Sequence, residues 1–151
     1  MSFKKIALLL AMALTGAAVF AGCGGDDSSD SESEPLTKTE FVAQADEICQ
    51  GSLDVIEEAA AGFDQNTADE ELVEFASDQY VPELQNELES LRELTPPEDD
   101  QDAYDDMLTS LEEGIDEIEA DPELVLGEGE NPLAGATEQA QELGLEVCGQ
   151  G

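Results

Sequence analysis

The chain reads as an all-α protein, an up-and-down four-helix bundle closed by one disulfide and preceded by a signal peptide and a disordered tether. Three observations predict this. From Thr37 onward apolar residues recur every three or four positions, the period of helices that bury one stripe. No segment alternates convincingly with period two, and no internal repeat is visible. Beyond the leader, Cys49 and Cys148 remain as one even pair once Cys23 is assigned to lipid.

Residues 1–22 have the three parts of an export leader: Lys4 and Lys5, an apolar stretch from Ile6 to Ala21, and small residues at the cut. The apolar stretch falls short of the roughly 20 residues that cross a bilayer. The run Phe20-Ala21-Gly22-Cys23 has the form of a lipobox, with Phe20 where Leu is usual. Processing there places a diacylglyceryl group on the Cys23 thiol, and its two acyl chains suffice for stable anchoring. The expected location is the extracytoplasmic face of the cell membrane, with simple secretion as the alternative because Val19-Phe20-Ala21 also suits an ordinary signal peptidase.

Residues 23–36 form the linker. Gly24 to Pro35 holds no apolar side chain to drive burial and repels itself through Asp26, Asp27, Asp30, Glu32 and Glu34, so a disordered tether is expected. Extended, it reaches roughly 40 Å at about 3.3 Å per residue. All 39 acidic residues lie beyond the leader, and loss of Lys4 and Lys5 takes the formal charge from −35 to −37. Such a surface repels nucleic acid and anionic lipid headgroups, which excludes both as partners of the protein surface. A chain this acidic and this poor in lysine points to adaptation to high salt, where the Debye length shrinks to about 3 Å at 1 M. The expected outcome is a melting temperature that rises between dilute buffer and molar NaCl; equal values would refute the adaptation.

The bundle occupies residues 37–149. Thr37-Lys38-Thr39-Glu40 has the form of a capping box. The first helix carries Phe41, Val42, Ala45, Ile48, Cys49, Leu53, Ile56 and Ala60 on one stripe, with Glu40, Glu47, Asp54 and Glu58 facing away. Ala61-Gly62 ends it. Thr67-Ala68-Asp69-Glu70 starts a long second helix along Leu72, Val73, Ala76, Tyr80, Leu84, Leu88, Leu91 and Leu94. Pro82 falls inside it, and the missing N–H predicts a kink or a break. Thr95-Pro96-Pro97-Glu98 stops that helix and caps the third, whose narrow stripe is Tyr104, Met107, Leu108, Leu111, Ile115 and Ile118. Asp121-Pro122 ends it, and Gly127 to Glu130 reads as a flexible loop. Asn131-Pro132 has the chemistry of an N-cap and first helical position. The last helix runs through Ala136 and Ala140 to Leu143, Gly144 suits the left-handed position past its end, and Leu145 packs back.

In an exported chain the pair Cys49 and Cys148 favours a disulfide. Closing its 99-residue loop stabilises by roughly 4 to 5 kcal/mol in the chain-entropy model. The spacing excludes a CxxC redox pair.

The search for chemistry is mostly negative. With no histidine there is no Ser-His-Asp or Cys-His arrangement and no zinc site of the usual kinds. GxGxxG, GxxxxGK[ST] and basic clusters are missing, which leaves no recognisable place for a nucleotide. Glu57-Glu58, Asp105-Asp106 and Glu112-Glu113 are adjacent pairs that diverge by 100° on a helix and read as solvated faces. Tyr80 and Tyr104 lie on core stripes, and Arg92 reads as a partner of nearby carboxylates. Hard cations take carboxylate oxygens, so Ca2+ is the ligand that composition keeps in play. Asp121, Glu123, Glu128, Glu130 and Asn131 are its weak candidates, without EF-hand spacing.

The lipobox leader, the acidic Ser/Gly tether, Phe41-Val42-x-x-Ala45-Asp46-x-Ile48-Cys49, Leu91-x-x-Leu94-x-Pro96-Pro97 and Gly144-Leu145-x-x-Cys148-Gly149 together resemble small exported actinobacterial lipoproteins of uncharacterised function. The resemblance implies a helical domain whose first helix and tail are tied by two cysteines. It brings no activity and no catalytic residues. The expected function is a non-enzymatic, acidic surface module that binds an envelope protein or a ligand, and the alternative is a calcium-binding or cation-responsive domain. The former calls for a concave apolar pocket between helices.

Overall fold

In the computed structural model, residues 34–127 and 129–150 are described, and every regular element among them is helical. The leader, Cys23 and the acidic stretch through Ser33 lie outside the described residues. Among the described residues no helix is long and apolar enough to cross a membrane.

Helix α1, Lys38–Ala60, starts at the expected capping box. The Thr37 hydroxyl accepts from Glu40 N–H at 3.4 Å, and the Glu40 carboxylate accepts from Thr37 N–H at 3.1 Å. Bonds from the Thr37 hydroxyl and N–H hold the Glu40 carboxyl below its ordinary range. The helix buries Phe41, Ala45, Cys49 and Ser52. Leu36 belongs to the domain rather than to the linker: its N–H donates to Thr95 O at 2.9 Å, and its half-buried side chain packs on the core.

The second start signal is displaced by one residue. The Thr67 hydroxyl accepts from Asp64 N–H at 2.8 Å, inside the preceding turn, and Glu71 reaches back to Ala68 N–H at 3.4 Å. Helix α2, Asp69–Phe75, then runs through a π-helical turn, Ala76–Tyr80, into α3, Val81–Arg92. Pro82 does not end the helical run, which continues from Asp69 to Arg92. It stands in the first turn of α3, directly after the π turn, where Val81 N–H donates five residues back to Ala76 O. A wide turn of this kind is one of the few ways a helix absorbs such a disruption.

No side-chain cap opens α4. A 3₁₀ turn, Glu98–Asp100, leads directly into Gln101–Ala120, which buries the six stripe residues expected and Gly114 besides. The segment after α4 is more ordered than a plain loop. Asp121 caps a second 3₁₀ turn, Pro122–Leu126, and Val125 packs against the core. Asn131 is not the N-cap of α5, Ala134–Glu142, which follows Leu133 without a side-chain cap; its side-chain oxygen accepts from Leu133 N–H at 3.0 Å in the turn that leads into the helix. Gly144 adopts φ +77°, a left-handed conformation that glycine takes at little cost. The chain turns there so that Leu145 is fully buried.

At the junction of α4 and the entry to α5, a Cβ on Gly114 would lie 2.5 Å from Pro132 O and 2.8 Å from a Leu133 methyl. Only glycine lets the two backbones approach so closely. Cys49 and Cys148 form the disulfide, with Cα atoms 5.2 Å apart. Beside it the Asp46 carboxylate accepts from three consecutive N–H groups, Glu146, Val147 and Cys148, at 3.2, 2.8 and 3.4 Å. The tail is therefore held to α1 by a covalent bond and a carboxylate clasp, an arrangement that matches charge-assisted hydrogen bonding to backbone donors.

Candidate ligand cleft

Two adjoining spaces lie beside the core. The outer one is a cleft of about 530 Å³ between the end of α1, α2, the π turn and the Pro122–Leu126 turn. Its aromatic wall is Phe63, Phe75 and Tyr80, and Glu130 and Asn131 stand among its polar lining. Phe63 and Phe75 meet edge to face with centroids 5.1 Å apart, and Phe75 stacks on Tyr80 at 6.4 Å. The inner space, about 100 Å³, is lined by Glu87, the Cys49–Cys148 disulfide and apolar side chains such as Leu84 and Met107. Ile56 and Tyr80 line both spaces.

Local sequence explains the cleft. Gly62 and the turn that follows carry Phe63 away from the α1 stripe. The π turn shifts the helical phase by one residue, which sets Tyr80 on the cleft wall rather than wholly in the core. Beyond the leader the chain has three Phe and two Tyr, and three of these five aromatic residues face this one space.

Glu87 is the unusual group. It lies within the apolar stripe of α3, between Leu84 and Leu91, and its Oε1 is 3.4 Å from Cys49 Sγ, a disulfide sulfur with no proton to donate. Burial pushes its carboxyl above the ordinary range. Ser52 pulls the other way, and the nearby charge of Glu83 pushes up again. The Ser52 hydroxyl, on the facing stripe of α1, is 3% exposed and makes no hydrogen bond of ordinary geometry. Tyr80 is raised as well, by burial and by the charge of Glu87. The two basic side chains among the described residues are engaged elsewhere. Lys38 pairs with Asp100 at 2.9 Å and Arg92 with Glu112 at 2.8 Å, so the expected pairing of Arg92 is present.

The calcium candidates do not converge. Asp121 caps Glu123 N–H at 3.3 Å, Asn131 caps Leu133 N–H, and Glu128 lies outside the described residues. Among the described residues no group of three or more potential ligands is placed to hold a metal ion. The paired carboxylates Glu57-Glu58, Asp105-Asp106 and Glu112-Glu113 are exposed, as solvated faces should be. Tyr104 is a core residue: its hydroxyl donates to Leu91 O at 2.8 Å and its ring meets Phe41 edge to face at 4.9 Å.

Phe63, Phe75, Ser52 and Glu87 did not emerge from the sequence pattern as site residues. A signal was present for the last two, because each places a polar side chain on an otherwise apolar helical stripe. Phe75 falls off the α2 stripe, a lesser cue. No family model matches the chain, and neither a curated protein nor a solved structure matches it.

Proposed function

We propose that this protein is a lipoprotein anchored by a diacylglyceryl group on Cys23 to the extracytoplasmic face of the membrane, and that its helical domain is a non-enzymatic module binding a small apolar molecule. The observation that carries the binding reading is the cleft of about 530 Å³ with its wall of Phe63, Phe75 and Tyr80. Its size falls within the range of small-molecule pockets, about 300–1,000 Å³, and an apolar lining with a few polar groups is their usual composition. We read the architecture as an up-and-down four-helix bundle formed by α1, α2 with α3, α4 and α5; ligand sites in such bundles lie between facing helices. An envelope protein that delivers or receives the ligand is the partner this reading implies.

The anchor is tested by labelling cells with a palmitate analogue. Label should enter the wild-type chain and not Cys23→Ala, which should also leave the membrane fraction; an unlabelled wild type refutes the anchor. The cleft is tested with the full chain in phosphatidylcholine nanodiscs, by equilibrium dialysis against 2-phenylethanol and 2-phenylethylamine, with empty nanodiscs as blank. Saturable binding of at least one probe, one per chain and weakened about tenfold by Phe75→Ala, is expected from the aromatic area lost. Binding of neither, or binding indifferent to Phe75→Ala, overturns the reading.

A further inference from the structure

The cleft has a polar end that the apolar reading does not use. Glu87 stands half-buried in the inner space among apolar side chains, and a carboxylate withdrawn from water is costly unless paired. Lys38 and Arg92, the basic side chains of the described domain, are held by Asp100 and Glu112 on other surfaces. A second polar group nearby, the Ser52 hydroxyl, is 3% exposed and has no partner of ordinary geometry. Ser52 lowers the Glu87 carboxyl as a hydrogen-bonding neighbour, and with both basic side chains paired elsewhere that carboxyl has no cationic partner. Tyr80 and Ile56 line both the inner space that holds Glu87 and the outer cleft, and the rings of Phe63 and Phe75 line the outer cleft.

We infer that the cleft takes a small hydrophobic cation, an amine on an aromatic or alkyl body, with its ammonium group at Glu87 and its body against Phe63, Phe75 and Tyr80. The inference rests on the cleft reading above and names the ligand class. Each part of such a ligand meets its complement. The ammonium donates to the Glu87 carboxylate and supplies the counter-charge that Ser52, a neutral neighbour of that carboxyl, does not. Next to the charge, the face of Tyr80 adds a cation–π attraction. The inner space of about 100 Å³ admits the head of the molecule, and the larger outer cleft admits its body. A formal charge of −37 on the mature chain, derived from the −35 of the full sequence, concentrates cations at the surface and repels anionic analogues. Selection between an amine and its neutral isostere then depends on one half-buried carboxylate rather than on that diffuse field.

The discriminating experiment is equilibrium dialysis of the full chain in phosphatidylcholine nanodiscs against 2-phenylethylamine and the isosteric alcohol 2-phenylethanol, in molar NaCl to screen the diffuse field. Wild type should bind the amine at least tenfold tighter, the scale of one charge-assisted hydrogen bond. Glu87→Gln, which keeps the shape, should remove that preference and leave alcohol binding within twofold; Ser52→Ala should reduce the preference less. Glu113→Gln, an exposed charge on α4, should change neither, and circular dichroism melts verify that each variant folds. Equal binding of amine and alcohol to wild type overturns the inference while leaving the cleft reading intact. An amine preference that survives Glu87→Gln overturns the assignment to Glu87. Failure of both probes to bind overturns the cleft reading and the inference with it.

Discussion

The two ends of the domain are built differently. Around Tyr104, at the start of α4, polar and apolar groups alike find partners: the ring packs on Phe41, the hydroxyl bonds Leu91 O, and Lys38–Asp100 and Arg92–Glu112 tie α1 and α3 to the α4 side. Around Tyr80, on the π turn, the chain leaves a cleft, a carboxyl among apolar side chains and a buried hydroxyl without a partner. One tyrosine completes a core and the other borders a space. The closed end contributes stability, and the open end keeps unpaired groups that a ligand can satisfy, so substitutions at the two should differ in sign as well as in size.

The largest effect should come from the bond that joins the tail to the rest. Cys49→Ala with Cys148→Ala should lower stability by about 2–4 kcal/mol through the loop of 99 residues it opens, measured by urea unfolding of the oxidised wild type against the double variant. Asp46 still clasps three N–H groups of the tail, so the variant should fold. A loss below 1 kcal/mol would mean that the clasp and the burial of Leu145 hold the tail unaided.

Next comes the seam between the two regions. Gly114→Ala adds helix propensity of about 1 kcal/mol, yet its Cβ meets Pro132 O at 2.5 Å. A backbone oxygen cannot rotate away, and overpacking of this kind costs about 1–3 kcal/mol. The expected outcome is a net loss of about 1–2 kcal/mol in thermal unfolding. Because Pro132 also lines the cleft, probe binding should fall with it. A stabilised variant would show that the entry to α5 moves freely.

At the closed end, Tyr104→Phe keeps the ring and removes the donor to Leu91 O. That carbonyl also accepts from Leu94 N–H at 3.1 Å, so it is not left bare, and the loss should be about 1 kcal/mol with cleft binding unchanged. Altered binding would show that the two ends are coupled.

Much of this contrast was legible in residue order. The stripes of α1 and α4, the Thr37 capping box and the left-handed Gly144 follow from local spacing and local hydrogen bonds, and the structure has them where they were expected. The π turn was not legible, because Pro82 states only that a donor is missing and not how the helix accommodates it. The Pro122–Leu126 turn depends on what Val125 packs against, and the role of Gly114 depends on a backbone 18 positions away in sequence. The cleft belongs to the same class: Phe63, Phe75 and Tyr80 are separated along the chain, and only tertiary packing brings their rings together. The calcium candidates show the opposite case. Nearness in sequence put Asp121 and Asn131 in one loop, but each side chain caps its own turn.

The smallest expected effect is also the one of opposite sign, and it belongs to the open end. Burial raises the Glu87 carboxyl from its ordinary value of 4.5 in the folded chain. Below that value the group is protonated whether folded or unfolded, and its full contribution to stability is present. As pH rises from about 4.5 through the raised folded value, the unfolded chain releases the proton first, so stability falls until both states are ionised. Among the groups facing Glu87 the Ser52 hydroxyl opposes this, by less than burial raises it, while Glu83 adds like charge, Tyr80 is itself raised, and Lys38 and Arg92 are paired elsewhere. Glu87→Gln lacks the titration, so without ligand it should match wild type near pH 4 and exceed it at pH 7 by roughly 1 kcal/mol, the scale of one poorly satisfied buried polar group. General relief of self-repulsion at low pH acts on both chains, and Glu113→Gln, exposed on α4, supplies the control for losing one charge. A gain confined to Glu87→Gln and growing from pH 4 to 7 would mark a group retained at a cost to stability, as expected of a residue whose partner is a ligand. Equal gains in both variants would reduce Glu87 to one more member of an acidic surface.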